Sequence, residues 1–255
     1  MIIQLNKLDY FEVKKVYIGT SGYNYKDWKG KFYPKDQPEK NWLNFYSKHF
    51  NTVEINATFY RSFPKSVFEN WAKKTPENFK FVIKGSRYIT HIKRIKNVED
   101  ELNNFFAVAN GLGKKLAVVL WQFPASFRCK KENIERLDAF VKILPKVAGH
   151  AFEFRHASWF NKDVYEIIEK SRLSLVINDS TVFPATNDEV GNFIYIRFHG
   201  PSLLYSSSYS DTNLEKWVGR IKKILGKKDV YCYFNNDVAG YAVDNALKLR
   251  EYLDR

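Results

Sequence analysis

Cysteine is scarce in this chain, which has two such residues among 255 and no Cys-x-x-Cys spacing. Cys129 and Cys232 therefore provide neither a disulfide framework nor a thiolate metal site. The sequence also lacks an apolar run near the roughly 18 residues that a membrane span requires, and it shows no secretory leader pattern. These absences predict a cytoplasmic protein without a membrane-spanning segment.

Acidic residues are few relative to basic ones, since 28 Asp and Glu stand against 41 Lys and Arg, for a net charge of +13 at pH 7. Acids are missing altogether from residues 79–98, which contain Lys80, Lys84, Arg87, Lys93, Arg94 and Lys96. A second basic run ends a helical pattern and contains Arg220, Lys222, Lys223, Lys227 and Lys228. Such charge indicates either an ordinary solvated surface or an anionic partner, which is a small molecule or a nucleic acid.

Short apolar or aromatic runs alternate with longer amphipathic ones along the whole chain. The predicted strands are Val16–Thr20, Thr52–Asn56, Phe79–Lys84, Leu116–Gln122, His150–Phe154, Leu173–Asn178, Phe193–His199 and Asp229–Asn235. The predicted helices are Glu39–His49, Ser66–Lys74, Val98–Leu112, Lys131–Leu144, Lys162–Ser171, Leu214–Leu225 and Ala239–Leu253, and only residues 180–192 are too short and polar for a full helix.

This alternation predicts an α/β fold with a parallel eight-stranded sheet and outer helices. Eight repeats favour closure into a single (β/α)8 TIM-like barrel over residues 1–255, with its core at about 16–253. A doubly wound open sheet is the alternative.

Residue parity along the strands separates apolar from polar side chains. In the fifth strand Phe152 and Phe154 share one face, whereas Glu153 and Arg155 share the other. The same parity sets apart Glu54, Asn56, Lys84, Gln122, Arg197, His199 and Asn235. Because apolar faces fit the helix layer, these polar side chains should converge at the C-terminal mouth of the barrel, where barrel enzymes place their active sites.

The polar ring has two interpretations, a ligand site or a network of ion pairs. A network would pair Glu54 with Lys84, and Glu153 with Arg155 or Arg197. Burial of several charges is costly and branched apolar residues fill a barrel equally well, so a ring drawn from so many strands favours a ligand site.

The predicted loops above the ring are rich in aromatic and basic residues. SGYNYKDWKGKFYPK follows the first strand and interleaves five aromatic rings with lysines, which suits bases or sugars joined to phosphate, although the rings would equally cap the barrel. GSRYITHIKRIK follows the third strand. We therefore expect Lys84, Arg87, Lys93 and Arg94 to give the mouth a positive potential.

The ordered motifs GTSGYNYKDWKGKFYP, VEINATFYR, WQFP, FEFRHASW, NDS, RFHG and YFNND resemble those of the YecE-like proteins, the domain of unknown function 72 (DUF72) family. The resemblance implies a TIM-barrel-like fold, but the family's activity is not established, so it assigns no catalytic residue. It implies that the family pattern includes Glu54, Asn56, Tyr60, Arg61, Lys84, His91, Gln122, Glu153, Arg155, His156, Trp159, Asp179, Arg197, His199, Asn235, Asn236 and Asp237. Tyr23 stands where that pattern usually has another aromatic residue, often Trp.

These residues favour an enzyme, a hydrolase or lyase that applies acid–base chemistry to an anionic ligand such as a phosphosugar or a nucleic acid. Glu54, Glu153 and His199 are the predicted catalytic residues, because carboxylates transfer protons and an imidazole changes its charge near neutral pH. The predicted ligand-binding residues are Tyr23, Trp28, Asn56, Tyr60, Lys84, Arg87, His91, Gln122, Arg155, His156, Asp179, Arg197, Asn235, Asn236 and Asp237.

Other function classes fit the sequence less well or stay open. No cofactor and no metal centre is expected, although one divalent cation on Glu54, Glu153 or Asp179 stays open. A glycosidase is disfavoured, because its two carboxylates must lie roughly 5 to 9.5 Å apart and the inward acids here are three strands apart. The alternative to an enzyme is a non-catalytic nucleic-acid-binding protein with a basic, aromatic-rich mouth, and a third option is an interaction scaffold.

Overall fold

The computed structural model describes residues 14–255, in which eight parallel strands form one sheet. The strands are β1 (Val16–Thr20), β2 (Thr52–Ile55), β3 (Lys80–Lys84), β4 (Leu116–Phe123), β5 (Gly149–Phe154), β6 (Ser174–Asp179), β7 (Ile194–Phe198) and β8 (Val230–Phe234). Each predicted strand is confirmed to within one residue at either end.

Helices follow most of the strands, and the longer ones cover the outside of the sheet. They are α1 (Trp42–His49), α2 (Ala57–Tyr60), α3 (Lys65–Lys73), α4 (Glu99–Ala109), α5 (Lys131–Ile143), α6 (Lys162–Lys170), α7 (Asp211–Leu225) and α8 (Tyr241–Asp254). The connection between β6 and β7, all of which the structure describes, contains no helix, as the polar character of residues 180–192 predicts.

Four helix boundaries differ from the prediction. The first helix begins at Trp42 rather than Glu39, because Glu39–Asn41 forms a separate 3-10 segment. The other three differ for local reasons. The last helix begins at Tyr241 rather than Ala239, because Gly240 has a left-handed φ of 83° and interrupts the helical turn before it. α7 begins earlier than predicted, because Ser210 and Asn213 form a capping box. The pattern Val98–Leu112 covers α4 and part of a separate 3-10 segment, Asn110–Lys115.

The strand order β1-β8-β7-β6-β5-β4-β3-β2 places β1 and β2 at the two edges of the sheet, and a parallel bridge between Ser21 and Glu54 brings those edges together. The fold is therefore a nearly closed TIM-like barrel. The doubly wound alternative is wrong, because an open sheet would leave β1 and β2 apart.

Side chains replace part of the backbone ladder at the seam between β1 and β2. The Asn51 amide accepts from the Ile18 nitrogen at 3.2 Å and donates to the Val16 oxygen at 3.0 Å. The Tyr46 hydroxyl accepts from the Thr20 nitrogen at 2.9 Å and donates to the Thr52 oxygen at 3.1 Å. These bonds satisfy groups that an open edge would leave unpaired.

Strand parity divides the core as predicted. The outer faces, including Phe152 and Phe154, pack with the helices in one large cluster. The lower barrel interior is filled by a second cluster that includes Val82, Leu120 and Tyr195. Polar side chains replace this apolar filling at the C-terminal strand ends, so the fold brings charged groups together at the mouth.

Across residues 14–255, none of the helices is both long and apolar enough to cross a bilayer.

Candidate functional site

A buried ion cluster lies at the C-terminal end of the barrel interior, centred on Arg197 of β7. Its guanidinium donates from Nε and Nη2 to both oxygens of Glu54, at 3.0 and 2.7 Å, and from Nη1 to Glu153 at 2.9 Å. Glu54 also accepts from the hydroxyls of Ser21 and Tyr195, each at 2.6 Å. Arg197 and these donors hold the pKa of the Glu54 carboxyl below its usual range even though burial opposes this.

Glu153 bridges two cations. Its Oε2 contacts Arg197, and its Oε1 lies 2.6 Å from Nη2 of Arg155. Arg155 and Arg197 hold the pKa of this carboxyl well below its usual range, although burial acts in the opposite direction. The predicted pairing of Glu153 with these two arginines is thus present, whereas Glu54 pairs with Arg197 and not with Lys84.

His199 lies beside this cluster as a neutral, fully buried imidazole. The Asn235 amide donates to Nδ1 at 3.2 Å, and Nε2 donates to Asn178 Oδ1 at 3.0 Å, which assigns the ring proton to Nε2. Burial lowers the pKa of His199 to about 4. The expectation that this residue changes its charge near neutral pH is therefore wrong, because its environment excludes water and keeps it uncharged.

A cavity of about 900 Å³ opens above the cluster at the barrel mouth. Its cationic lining comes from Lys84, Arg87, Arg155 and Arg197. Polar side chains complete the lower wall, and they are Asn56, His91, Gln122 and Asn235. Lys84, Arg155 and Arg197 form what we call the floor of the cavity. The three predicted catalytic residues, Glu54, Glu153 and His199, are fully buried and do not line the cavity, so they support this floor from below.

Lys84 supplies a cation of reduced basicity to this floor. Its Nζ donates to Gln122 Oε1 at 2.7 Å and lies 4.1 Å from the centre of the Phe59 ring. Burial, followed by the charge of Arg197, lowers the pKa of Lys84 to about 8. This amine therefore changes its charge close to physiological pH.

Arg155 supplies a second cation whose hydrogen-bonding capacity is not filled. The guanidinium stacks on Phe183, with its carbon 3.3 Å from the ring centre. Its Nε and Nη1 are buried without a hydrogen-bond partner among the described residues. Since unpaired buried donors are costly, Arg155 is able to gain hydrogen bonds from an incoming acceptor.

A short π-helical turn, Tyr88–Ile92, follows β3 and presents His91 to the cavity. Such turns are rare and often occur at functional sites. Thr90 Oγ1 lies 2.9 Å from His91 Nδ1, and the imidazole packs edge-on against Phe59. Burial and then the charge of Lys84 lower the pKa of His91 to about 4, so it faces the cavity as a neutral group.

Asp237 is the cavity carboxyl that titrates near neutrality. It follows β8, and its Oδ1 accepts from the indole nitrogen of Trp28 at 2.8 Å. Burial raises the pKa of Asp237 to about 7, while the Trp28 bond lowers it and Asp27 raises it further. Because Trp28 is itself buried in the aromatic packing, it fixes the orientation of this carboxyl.

Apolar side chains form the upper walls and rim of the cavity. Phe183 belongs to the helix-free β6–β7 connection, together with Val182, whose side chain is 63% exposed. Tyr60 at the end of α2 is 74% exposed, and Val238 after β8 is 54% exposed. The site therefore combines a cationic floor with an apolar, solvent-facing rim.

The cavity brings together ten of the predicted ligand-binding residues, which are Asn56, Tyr60, Lys84, Arg87, His91, Gln122, Arg155, Arg197, Asn235 and Asp237. Five others do not line it, and each has a structural contact instead. Tyr23 packs against the core beside Tyr46, and Trp28 holds Asp237 from behind. His156 caps the 3-10 turn Ala157–Trp159 by accepting from the Ser158 nitrogen at 3.1 Å.

The remaining two residues, Asp179 and Asn236, form hydrogen bonds with side chains of the outer helices. Asp179 accepts from the indole of Trp217 on α7 at 2.7 Å. Asn236 donates to the Ser207 oxygen and to Asn245 Oδ1. Both side chains therefore fasten loops to α7 and α8, away from the mouth.

Of the four residues predicted to give the mouth a positive potential, two line the cavity. Lys84 and Arg87 line the cavity, but Lys93 forms an ion pair with Glu101 at 3.5 Å, and Arg94 donates to Ser126. The aromatic loop after β1 behaves in a similar way, because Trp28 and Tyr33 are buried and Tyr25 is its only ring in the described cavity lining.

The three carboxylates considered as cation ligands, Glu54, Glu153 and Asp179, contact other side chains. Within residues 14–255 no group of three or more His, Cys, Asp and Glu side chains lies close enough together to bind a metal ion. The oxygens of Glu54 and Glu153 contact arginines, and Asp179 contacts Trp217. Glu54, Glu153 and Asp179 therefore do not together provide a set of ligands for a divalent cation.

Several cavity residues were not predicted as site residues. Tyr25 and Asp27 lie in the first loop, Phe59 lies on α2, and Phe183 and Tyr205 lie in later loops. Tyr205 also has a left-handed φ of 60°, which is unusual for a residue other than glycine. The β1 loop composition indicated only Tyr25, and no periodic pattern marks the others.

Comparison with known proteins gives relatives along nearly the whole chain. The family model described as protein of unknown function DUF72 matches residues 17–255. The UPF0759 protein YunF of Bacillus subtilis (strain 168) is 31% identical over an alignment of 277 residues, which covers 94% of this chain and 95% of YunF. The UPF0759 protein YecE of Escherichia coli (strain K12) is 28% identical over 120 residues, covering 47% of this chain and 43% of YecE.

Solved structures show the same architecture. A DUF72 family protein from Thermotoga maritima is 30% identical, with a TM-score of 0.85, and the match covers 94% of this chain and 100% of that one. A DUF72 family protein from Enterococcus faecalis has a TM-score of 0.81 at 24% identity, over 94% of this chain and 96% of that one. Together with the family-model match, these relatives establish that the chain belongs to the DUF72 family and has its TIM-like barrel fold.

Proposed function

We propose that this protein is an enzyme that performs acid–base chemistry on an anionic small molecule bound at the C-terminal mouth of the barrel. The observation that supports this most directly is the incompletely hydrogen-bonded Arg155 on the floor of a cavity that Lys84 and Arg197 also line. Buried cations without acceptors are costly in a free protein, and a bound anion would offset that cost.

The anion-binding role belongs to the three cations of the floor. Arg197 is fixed by Glu54 and Glu153, so these carboxylates act as positioning residues and do not touch the ligand. Their full burial and paired oxygens argue against the proton-transfer role predicted from the sequence. Rigid support of this kind is what a pre-organised anion site requires.

The proton-transfer role suits Asp237 and Lys84. Asp237 lies on the cavity wall with one oxygen held by Trp28, and the pKa of its carboxyl is about 7. The pKa of Lys84 is about 8. Groups that titrate near the working pH are the most effective general acids and bases, so this pair supports a hydrolase or lyase mechanism.

The test is to incubate the purified protein and its Asp237→Asn variant with a protein-free extract of small metabolites, followed by mass spectrometry. We expect the wild-type protein to consume at least one anionic metabolite. The Asn variant keeps the shape of the wall but has no basic oxygen, so it should bind the same metabolite without consuming it.

The control is Asp36→Asn, which changes an exposed carboxyl in the loop after β1 and should leave consumption intact. If the wild-type protein retains an anion but never alters it, the enzyme proposal is wrong, and the protein binds anions without catalysis. Salt-sensitive retention of generic RNA or DNA by the wild-type protein would favour the nucleic-acid-binding alternative.

A further inference from the structure

The cations of the floor come from three different sides of the barrel. Lys84 ends β3, Arg155 directly follows β5, and Arg197 lies on β7. In an eight-stranded barrel, strands two apart lie about a quarter of the circumference from each other. The three groups therefore approach the barrel axis from three directions rather than from one side.

Each of these cations has donors to spare. A guanidinium has five N–H donors, and Arg197 gives three hydrogen bonds to Glu54 and Glu153, which leaves two without an acceptor among the described residues. Lys84 gives one of its three N–H donors to Gln122, and the other two have no hydrogen-bond acceptor in the part of the chain that the structure describes. Arg155 contacts Glu153 through Nη2 alone, and its Nε and Nη1 have no hydrogen-bond partner within residues 14–255.

The number and direction of these donors discriminate between classes of anion. A carboxylate has two oxygens in one plane, so it matches a fork from one side. A phosphoryl group has three terminal oxygens around an axis, which match donors from three sides. At the floor, the three cations and the two carboxylates leave one net positive charge, and the rest of the cavity lining adds Arg87 together with the carboxyls of Asp27 and Asp237.

The ester oxygen of such a group can only point outwards, since Glu54, Glu153 and the buried barrel interior close the floor. Above it stand Tyr60, Val182 and Val238, from the connections after β2, β6 and β8. All three residues are more than half exposed. They present contact area for a flat or apolar ligand body.

We propose, building on the function proposed above, that the ligand is a phosphate monoester with an aromatic or otherwise apolar body. Its phosphoryl group binds Lys84, Arg155 and Arg197, and its body contacts the rim formed by Tyr60, Val182 and Val238. Phe183 stacks on the face of the Arg155 guanidinium, while the N–H donors lie in the plane of that group. Nε and Nη1 are buried in the free protein, so neighbouring side chains must move before phosphoryl oxygens reach them.

The experiment is calorimetric titration at pH 7 with phenyl phosphate, inorganic phosphate and benzoate. Phenyl phosphate and benzoate share a ring and differ in the anionic group, and a phosphate ester is largely dianionic at this pH. We expect phenyl phosphate to bind at least about tenfold more tightly than benzoate, because several charge-assisted bonds are lost with the carboxylate. Inorganic phosphate should fall between them.

Two sets of variants separate the head group from the body. Arg155→Met should weaken phenyl phosphate and inorganic phosphate alike, by about tenfold or more. Lys84→Gln tests the same site from another strand if the Arg155 variant fails to fold. Val182→Ser combined with Val238→Ser should weaken phenyl phosphate several-fold and leave inorganic phosphate unchanged. Arg136→Met, a partly exposed residue on α5 paired with Glu132, is the matched control and should change nothing.

The outcomes distinguish this inference from the function on which it rests. Benzoate binding as tightly as phenyl phosphate would overturn the phosphoryl assignment while the anionic site stands. Equal affinity for phenyl and inorganic phosphate would overturn the apolar body. Failure of all three anions to bind would overturn the anionic site itself.

Discussion

The surroundings of each carboxyl at this site decide its role. Glu54 and Glu153 are completely buried and their oxygens contact arginines, hydroxyls or both, so they stay ionised and serve to hold Arg197. The ionised form of Asp237 is less well stabilised. Burial and the charge of Asp27 raise the pKa of its carboxyl, whereas the hydrogen bond from the Trp28 indole lowers it. Side chains of similar chemistry therefore divide into two carboxylates that hold Arg197 and one carboxyl with a raised pKa, to which we assign the proposed proton transfer.

Removal of the Glu54 carboxylate should be strongly destabilising. Glu54→Ala leaves Arg197 with only one buried counter-ion among the described residues, so we expect the free energy of unfolding to fall by about 3 to 5 kcal/mol. Glu54→Gln keeps the shape and part of the hydrogen bonding and should cost less, about 1 to 3 kcal/mol. Urea denaturation followed by tryptophan fluorescence measures both values.

The matched control for Glu54 is Glu132→Gln, which removes an exposed ion pair with Arg136. Its effect should stay below about 1 kcal/mol, as for most surface pairs. A Glu54→Ala protein as stable as the control would contradict the structural role of the Glu54 carboxylate.

Asp237 should make the stability depend on pH in a defined direction. Its pKa is raised from 3.8 to about 7 in the folded protein, so between these values the folded state binds more protons than the unfolded state. The free-energy contribution of this residue therefore falls as pH rises from about 4 to about 7. Asp237→Asn should gain stability relative to the wild-type protein across that range, as measured by chemical denaturation at several pH values.

The exposed Asp36→Asn variant serves as the reference for that comparison and should follow the wild-type slope. A parallel pH dependence for the wild-type and Asp237→Asn proteins would show that Asp237 is ionised over the whole range, and the proposed proton-transfer role would then be wrong.

Among the elements of the fold, β1 and β2 must approach closely for the barrel to close. A Cβ atom on Gly19 would lie 2.3 Å from the Thr52 oxygen, which only a shift of the backbone could relieve. Gly19→Ala should therefore open the seam, lower the melting temperature and increase amide exchange at Ile18 and Thr20.

Gly219 provides the opposite case within the same protein. It lies inside α7, and a Cβ there meets nothing within 4 Å. Gly219→Ala should stabilise the protein by about 0.5 to 1 kcal/mol, because alanine is the better helix former. A Gly19→Ala protein that melts at or above the wild-type temperature would show that the tight seam is not a determinant of stability.

The strands and the buried half of the site could be predicted because their signals are local. Alternation identifies which face of a strand meets the helices, and thus which way Glu153 and Lys84 point. Loop side chains have no such period. Trp28 holds Asp237 across 209 residues of sequence, and Phe183 reaches Arg155 from a connection without a helix, so neither contact has a pattern in the sequence.

For the molecule as a whole, the charge of the mouth should control ligand affinity. Lys84 is surrounded by Arg197, Arg155, Glu153 and Glu54, and the pKa of its amine is about 8. An anion favours the protonated amine, so phenyl phosphate affinity should fall as pH rises through about 8. Calorimetric titration between pH 6.5 and 9.5, a range of roughly one and a half units on either side, tests this.

Lys84→Gln should bind more weakly at pH 7 and lose that step in affinity. Persistence of the step in the variant would assign it to another group and contradict the role of Lys84 in the floor.

A crystal soaked in sodium tungstate is the sharpest test of whether the barrel mouth is a preformed anion site. Tungstate is a tetrahedral oxoanion, and the anomalous scattering of its metal locates it without assumptions about the ligand. We expect the strongest anomalous peak on the cavity floor, with oxygens in hydrogen-bond contact with Lys84, Arg155 and Arg197, and loss of that peak in Arg155→Met crystals. A mouth that stays empty while peaks form on surface lysines would show that no such site exists.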